Sequence, residues 1–301
     1  MCFIVVSKTI LIAGGTGLIG NDLSSCFTTK GYTVKLLSRK PTDTLKQRYN
    51  WNIEQGTIDE RALENVSAVI NLAGANILGG KWTESRKKIL RDSRIRSSRL
   101  LVNRLNEGNH QVEHFIQASA VGYFGDDGAT EKYEDSPPGD DFMAQLCVDW
   151  EAQAHRIKEP VKSSVLRIGL YLSKEGGVYG TISKISRFYI ASAFGNGKQL
   201  NNYTHRDEFC NLVHHIIEGN IEAGIYNAVG AEPFTFNRLV KAIANSVNAK
   251  VFLPNIPKFL VSLVLGEASA VLLNSHNVKS TKMGKLDLYQ FKNLEDALEN
   301  L

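Results

Sequence analysis

The 301 residues comprise 43% hydrophobic and 22% charged side chains with 25 Gly and 7 Pro, a composition that excludes collagen-like repeats and a disordered chain. The length suits one large α/β unit with an appended lobe, or two domains of about 150 residues each, and it can bury roughly 75% of the unfolded surface without a disulfide or metal staple. A net charge of +4, from 35 basic and 31 acidic residues, is too small to demand a nucleic-acid or membrane partner.

Residues 1–6 are apolar but lack a basic flank, and Lys8 interrupts them, so they do not read as a signal peptide. Strand-like runs at 9–13, 33–38, 67–73, 113–119 and 163–169 alternate with helical patterns at 18–30, 83–106 and 142–158. Uncharged runs such as Ile10-Leu11-Ile12-Ala13 suit strands buried on both faces. The alternation predicts an α/β fold, a Rossmann-type doubly wound parallel sheet. After about residue 170 the rhythm weakens into a Gly-rich stretch at 176–180 and a polar loop at 195–203, with one strand at 225–229 expected to rejoin the main sheet. The predicted organisation is a Rossmann domain over 1–170 and a smaller C-terminal α/β substrate lobe over 171–301. The apolar stretch 259–273 is broken by Glu267 and is shorter than the ~20 residues a membrane span needs. Cys2, Cys26, Cys147 and Cys210 are scattered, without Cys-x-x-Cys or clustered His, so neither a metal site nor a disulfide framework is expected, which fits the cytoplasm.

Gly14-Gly15-Thr16-Gly17-Leu18-Ile19-Gly20 follows the first apolar strand and opens a helix. Glycines at 14, 17 and 20 allow a tight turn, close approach of a pyrophosphate, and close packing of helix on strand. The helix N-terminus then offers N–H groups and a positive dipole end to phosphate. NAD-preferring sites place an acid about 20 residues on, whereas this chain has Ser38-Arg39-Lys40 there and no acid between Asp22 and Asp43. A carboxylate repels a 2′-phosphate; Arg39 and Ser38 can bind one. The cofactor expected is therefore NADP.

These residues resemble the extended short-chain dehydrogenase/reductase superfamily, which includes the nucleotide-sugar epimerases and dehydratases. Within it the chain is similar to the atypical epimerase-like family once described as cell-division-inhibitor-like. The resemblance spans most of the chain, through Ser38-Arg39-Lys40-Pro41, Asn71-Leu72-Ala73-Gly74, Trp82, Ser93-Arg94, Gly122-Tyr123, Trp150-Glu151, Leu166-Arg167-Ile168-Gly169, His205 with Asp207, and Gly266-Glu267. Glu208 departs modestly from the family pattern. The resemblance implies that Leu72, Ala73 and Gly74 border the cofactor and that Ser38, Arg39 and Arg94 contact it. Independently, Leu90, Arg94, Ser97 and Leu101 share one helical face. An arginine on that stripe needs either an anionic partner such as pyrophosphate or a snorkelling route to water.

Ordinary members of the superfamily use Tyr-x-x-x-Lys, the lysine lowering the tyrosine pKa for proton exchange during hydride transfer. None of the ten tyrosines has Lys four residues later, and the resemblance places Phe142 and Leu146 in the two positions. The catalytic candidates that remain are Ser119, matching the superfamily's active-site hydroxyl, and Tyr123, which needs a neighbouring cation to act as an acid. His205 and Asp207 are further candidates, with a structural hydrogen bond as the alternative.

Two charge patterns stay open between two readings each. Residues 81–104 hold nine Lys or Arg against Glu84 and Asp92, a local +7 that leaves −3 for the rest. That run is either an attractor for an anionic partner or a solvated helix face. Residues 126–141 hold seven acids and one lysine, either a lid over the cleft or a surface loop. The overall expectation is an NADP(H)-binding oxidoreductase or epimerase acting on a small polar molecule, with no nucleic-acid or membrane partner. The competing reading is a sensor that binds NADP(H) and catalyses nothing.

Overall fold

The computed structural model describes residues 8–108 and 110–301; the apolar start at 1–6 and Cys2 lie outside them. In chain order the strands are β1 (Thr9–Ala13), β2 (Thr33–Ser38), β3 (Arg48–Asn52), β4 (Thr57–Ile58), β5 (Val66–Asn71), β6 (His114–Ala120), β7 (Lys162–Ile168), β8 (Leu170–Ser173), β9 (Leu200–Asn201), β10 (Tyr203–His205), β11 (Ile225–Ala228) and β12 (Phe234–Thr235). Eight of them form one sheet in the order β11-β7-β6-β5-β1-β2-β3-β4, parallel throughout except for the β3–β4 edge pair. The order reverses direction at β1, the crevice where doubly wound sheets bind ligands.

The principal helices are α1 (Leu18–Thr29), α2 (Glu84–Asn106), α3 (Phe142–Ala154), α4 (Gly177–Arg187), α5 (Arg206–Ile217), α6 (Phe236–Ser246) and α7 (Lys258–Leu265). Strand side chains alternate between faces, and β1 shows the consequence. Ile10 and Ile12 pack with Leu23 and Phe27 of α1 and Phe209, Val213 and Ile216 of α5, whereas Leu11 and Ala13 pack with Leu101 and Leu105 of α2. Helices thus cover both faces, as a continuously apolar parallel strand requires. A further core joins Leu172, Tyr179, Tyr203, Phe234, Leu239 and Leu294, so residues beyond 170 serve the sheet through β11 and α5 and this second core through the rest.

Three expectations need correction. β3 and β4 extend the sheet beyond β2 and were not predicted: β3, between β2 and the two-residue edge strand β4, has Tyr49 and Trp51 buried between half-buried polar residues. α3 ends at Ala154 rather than 158, followed by a turn at His155 and then Pro160, whose preceding residue is disfavoured in helix. Cys26 of α1 and Cys210 of α5 form a disulfide with Cα atoms 6.7 Å apart, although 184 residues separate them in sequence. Scattered cysteines met only through the fold, so their spacing carries no argument about compartment.

Candidate cofactor and active site

The β1–α1 turn separates glycines that folding requires from one that it does not. Gly14 has φ +79°, and a Cβ there would lie 2.8 Å from the Leu72 carbonyl carbon and oxygen. A Cβ on Gly20 would lie 2.5 Å from the Gly14 carbonyl oxygen. Gly17, exposed at the N-cap of α1 with φ −81°, would bring its Cβ near a single atom, the Gly14 oxygen at 3.3 Å. The protein's own packing leaves the outer side of Gly17 open, as an approaching phosphate would need. No side chain caps α1, so its first-turn N–H groups face outward between exposed Thr16 and half-buried Leu18 and Ile19.

The ends of β2 and β5 flank this turn through their pairing with β1. Ser38 is buried and its Oγ accepts the Lys40 N–H at 3.1 Å, while Arg39 is exposed and belongs to no ion pair among the described residues. Beyond β5, Leu72 donates its N–H to Ala13, and Ala73 donates to Oδ1 of fully buried Asn71. The Asn71 amide is held by Ser98 at 2.9 Å and Gln117 at 3.0 Å. A buried side-chain network therefore fixes the backbone that leads to exposed Gly74.

Arg94 lies directly beneath Gly74, where a Cβ would sit 3.0 Å from its Cζ. Leu90, Ser97 and Leu101 are buried on the same helical face. The guanidinium donates to the carbonyls of Ala75 and Leu90, both at 3.1 Å, and lies 5.0 Å from the Trp150 ring centroid. No carboxylate pairs with it among the described residues, and burial draws its pKa down. A half-buried cation without a counter-ion leaves room for a ligand that supplies negative charge. The cradle thus fits a dinucleotide phosphate.

The candidate catalytic side is arranged differently. Ser119, at the end of β6, is buried and donates to Glu151 Oε1 at 2.6 Å. Arg167 of β7 closes a two-pronged pair on that carboxylate, Nε to Oε1 and Nη2 to Oε2, each at 2.9 Å. Its third nitrogen donates to the Glu134 carbonyl at 3.0 Å. The guanidinium carbon lies 3.5 Å from the centroid of half-buried Tyr123. Tyr123 does have a cation beside it, but one already matched by a carboxylate. Buried Cys147 lies next to Ser119, and burial pushes its thiol up to about 12, far from a thiolate nucleophile.

A family model for the NAD dependent epimerase/dehydratase family matches residues 10–228. The chain belongs to that family. It is 30% identical over 305 residues to epimerase family protein SH2119 of Staphylococcus haemolyticus, covering 98% of this chain and 99% of the relative. It is 29% identical over 297 residues to the mouse epimerase family protein SDR39U1, covering 97% and 99%. Among solved structures, human epimerase family protein SDR39U1 (isoform 2), crystallised with NADPH, superposes with a TM-score of 0.89 at 28% identity, covering 97% of this chain and 98% of that one. UDP-N-acetylglucosamine 4-epimerase of Bacillus cereus shares the fold, with a TM-score of 0.74 at 17% identity over 98% and 95%.

In this epimerase-family chain the two positions expected to hold Tyr and Lys are apolar and packed. Leu146 is buried with Trp82, Leu90 and Ala268, and the Phe142 ring lies 5.1 Å from that of Trp82. A lysine does stand beside Phe142, but from α2: the Lys87 ammonium lies 5.4 Å from the ring centroid and pairs with Glu267 and Glu84. Sequence reasoning missed both Lys87 and the Ser119–Glu151–Arg167 chain. Trp150-Glu151 and Arg167 stood only as matching strings, with nothing to pair them.

His205 and Asp207 meet at the N-cap of α5, with His205 Nδ1 3.9 Å from Asp207 Oδ2. His205 is fully buried at the N-cap of α5, where Nδ1 accepts the Asp207 N–H at 3.2 Å and burial lowers its pKa from 6.5 to about 4. Glu208 accepts the N–H groups of Gln290 and Phe291 at 2.8 and 3.1 Å, and burial raises its carboxyl to about 7. These groups tie the C-terminal segment to α5.

The acidic segment 126–141 is neither a free lid nor a bare surface loop. Lys132 bridges to Val278, Lys132 N–H donates to Asn277 at 2.9 Å, Lys279 N–H donates to Lys132 at 2.8 Å, and Glu134 receives Ser280 and Thr281. It is a strap stitched to residues 274–281. The basic run on α2 is largely paired as well, Lys88 with Asp92, Arg91 with Asp149 and Arg104 with Glu107, as a solvated helix face would be.

Proposed function

We propose that this chain binds NADP(H) and acts as an oxidoreductase or epimerase of atypical type on a small polar molecule. The observation that carries the reading is Arg94, a half-buried guanidinium with no carboxylate partner among the described residues, lying under Gly74 at the end of β5. In this reading the α1 N-terminus and Gly17 receive the pyrophosphate, Ser38 and Arg39 receive the 2′-phosphate, and Leu72, Ala73 and Gly74 border the dinucleotide. The NADPH of the human relative's structure supports it. A bound nicotinamide supplies hydride transfer. Ser119 holds the Glu151 carboxylate that pairs with Arg167, whose guanidinium lies against the Tyr123 ring, and in this reading Ser119 and Tyr123 are the catalytic pair, with Tyr123 the proton-exchanging group.

A second reading, a non-catalytic NADP(H) sensor, is favoured by one observation, the packed apolar pair at Phe142 and Leu146. The same experiment separates them. NADPH and NADH are titrated by fluorescence, then NADPH oxidation is followed against carbonyl compounds and sugar nucleotides. Tight NADPH binding with substrate-dependent oxidation that Tyr123→Phe abolishes establishes the enzyme, and tight binding without turnover establishes the sensor. Arg39→Asp is expected to weaken NADPH about 10- to 100-fold while sparing NADH, the loss of charge-assisted hydrogen bonds; equal losses would overturn the 2′-phosphate assignment.

A further inference from the structure

The helix α7 is turned inside out. Of its eight residues, Lys-Phe-Leu-Val-Ser-Leu-Val-Leu, only Val261 is buried. Phe259, Leu263 and Val264 are 68%, 70% and 66% exposed, and Leu260 projects with them. At 100° per residue these four side chains share one face of the helix. The face continues beyond α7. Phe252, Leu253 and Ile256 precede it and are exposed, and the Phe252 ring lies 5.9 Å from that of Tyr189, whose neighbours Phe188 and Ile190 are also exposed. The Gly195 N–H donates to Ile256 at 2.8 Å, joining the two segments. Ten large apolar side chains thus form one outward surface, of a size that marks an interaction site rather than scattered exposure.

Its charge is one-sided apart from Glu267, which follows α7 and pairs with Lys87. Residues 176–206 contain no acid, and neither do residues 233–266. Lys184 and Arg187, in the last turn of α4 just before Phe188, are exposed, as are Lys198, Lys250 and Lys258. None of these five cations belongs to an ion pair among the described residues, unlike Lys88 and Arg91 of α2. Apolar side chains ringed by unpaired Lys and Arg are the composition of a surface that lies in the headgroup layer of an anionic bilayer. An isologous contact between two copies would instead bring the five cations against themselves. Eight helical residues span about 12 Å, too short to cross a bilayer, so the helix would lie in the interface plane.

We infer that α7, with the 188–190 and 252–256 segments, is a peripheral docking surface for a membrane rich in anionic lipid. The expectation of no membrane partner rested on the absence of a spanning segment and on low net charge, and neither property describes one face of the molecule. Leu265, the last residue of α7, packs in the cluster with Trp82 and Phe142, so the docked face would adjoin the candidate active site.

The full-length protein is co-sedimented with vesicles of phosphatidylcholine alone and of phosphatidylcholine with phosphatidylglycerol, at low and high salt. It should pellet with the anionic vesicles, less so at high salt. Phe259→Ser with Leu263→Ser should abolish pelleting, and Lys258→Gln and Arg187→Gln should each weaken it about five-fold. Phe259→Trp supplies a readout independent of loss: its emission should shift to the blue on anionic vesicles. Failure to pellet with anionic vesicles at low salt, with no shift from Phe259→Trp, would overturn the proposal. So would a concentration-dependent dimer that Phe259→Ser converts to monomer without any vesicle binding, which would assign the face to a second copy.

Discussion

The two halves of the candidate site differ in how their charges are matched. On the cofactor side, the outer flank of Gly17 is open, and among the described residues Arg39 belongs to no ion pair and half-buried Arg94 has no carboxylate partner. On the side expected to hold catalysis, Ser119, Glu151 and Arg167 satisfy one another and Phe142 and Leu146 are packed in an apolar cluster. Unmatched groups mark where a ligand would complete the structure, and matched groups mark where the protein has completed itself. The difference assigns distinct signatures to residues that the sequence presents as equals.

The strongest test removes a matched charge. Glu151→Gln leaves Arg167 buried without its partner and should cost about 3–5 kcal/mol of stability, measured by denaturant unfolding. If stability were unchanged while turnover disappeared, Glu151 would belong to catalysis and the contrast would fail. The cofactor side should respond in the opposite sense. Arg94→Met removes an unmatched half-buried cation, so it should leave stability unchanged or raised while NADPH binding weakens about 10- to 100-fold.

The glycines sharpen the contrast within a single turn. Gly17→Val should abolish detectable NADPH binding while leaving the unfolding midpoint nearly unchanged. Gly20→Ala should lower the midpoint, because its Cβ would lie 2.5 Å from the Gly14 carbonyl oxygen. Equal thermal shifts for the two would mean that Gly17 serves packing alone.

The smallest expected effect is a pH dependence at the N-terminus of α5. The His205 pKa, lowered from 6.5 to about 4, gives stability that is present above 6.5 and lost as pH falls toward 4. Glu208, raised from 4.5 to about 7, does the reverse: its contribution is present below 4.5 and lost as pH rises through 7. The two oppose each other between pH 4.5 and 6.5. Glu208→Gln should therefore expose a loss of stability on acidification, and His205→Asn a loss on raising the pH toward 7, both read from urea midpoints across that range.

The sheet was legible where strands are buried on both faces, because Ile10-Leu11-Ile12-Ala13 and Ala68-Val69-Ile70 leave no other place for the chain to go. β3 was not, since Arg48, Asn50 and Asn52 alternate with Tyr49 and Trp51 and dilute the apolar signal. The glycine turn and the Leu90–Arg94–Ser97–Leu101 stripe are local patterns and could be read directly. The Glu151–Arg167 pair and the Cys26–Cys210 link join different elements, and nothing local announces them. The acidic segment misled for the same reason: its partners in 274–281 lie more than a hundred residues away, so its charges looked solvated or mobile rather than engaged.

That strap also sets an order of events. Residues 126–141 lie between β6 and α3, yet the hydrogen bonds of Glu134 to Ser280 span 146 residues. On a ribosome the sheet from β1 to β7 can assemble while the strap still lacks its partners in 274–281. The flank beside Tyr123 closes only when the final tenth of the chain has been made, so the cofactor cradle is complete before the side that would hold a substrate.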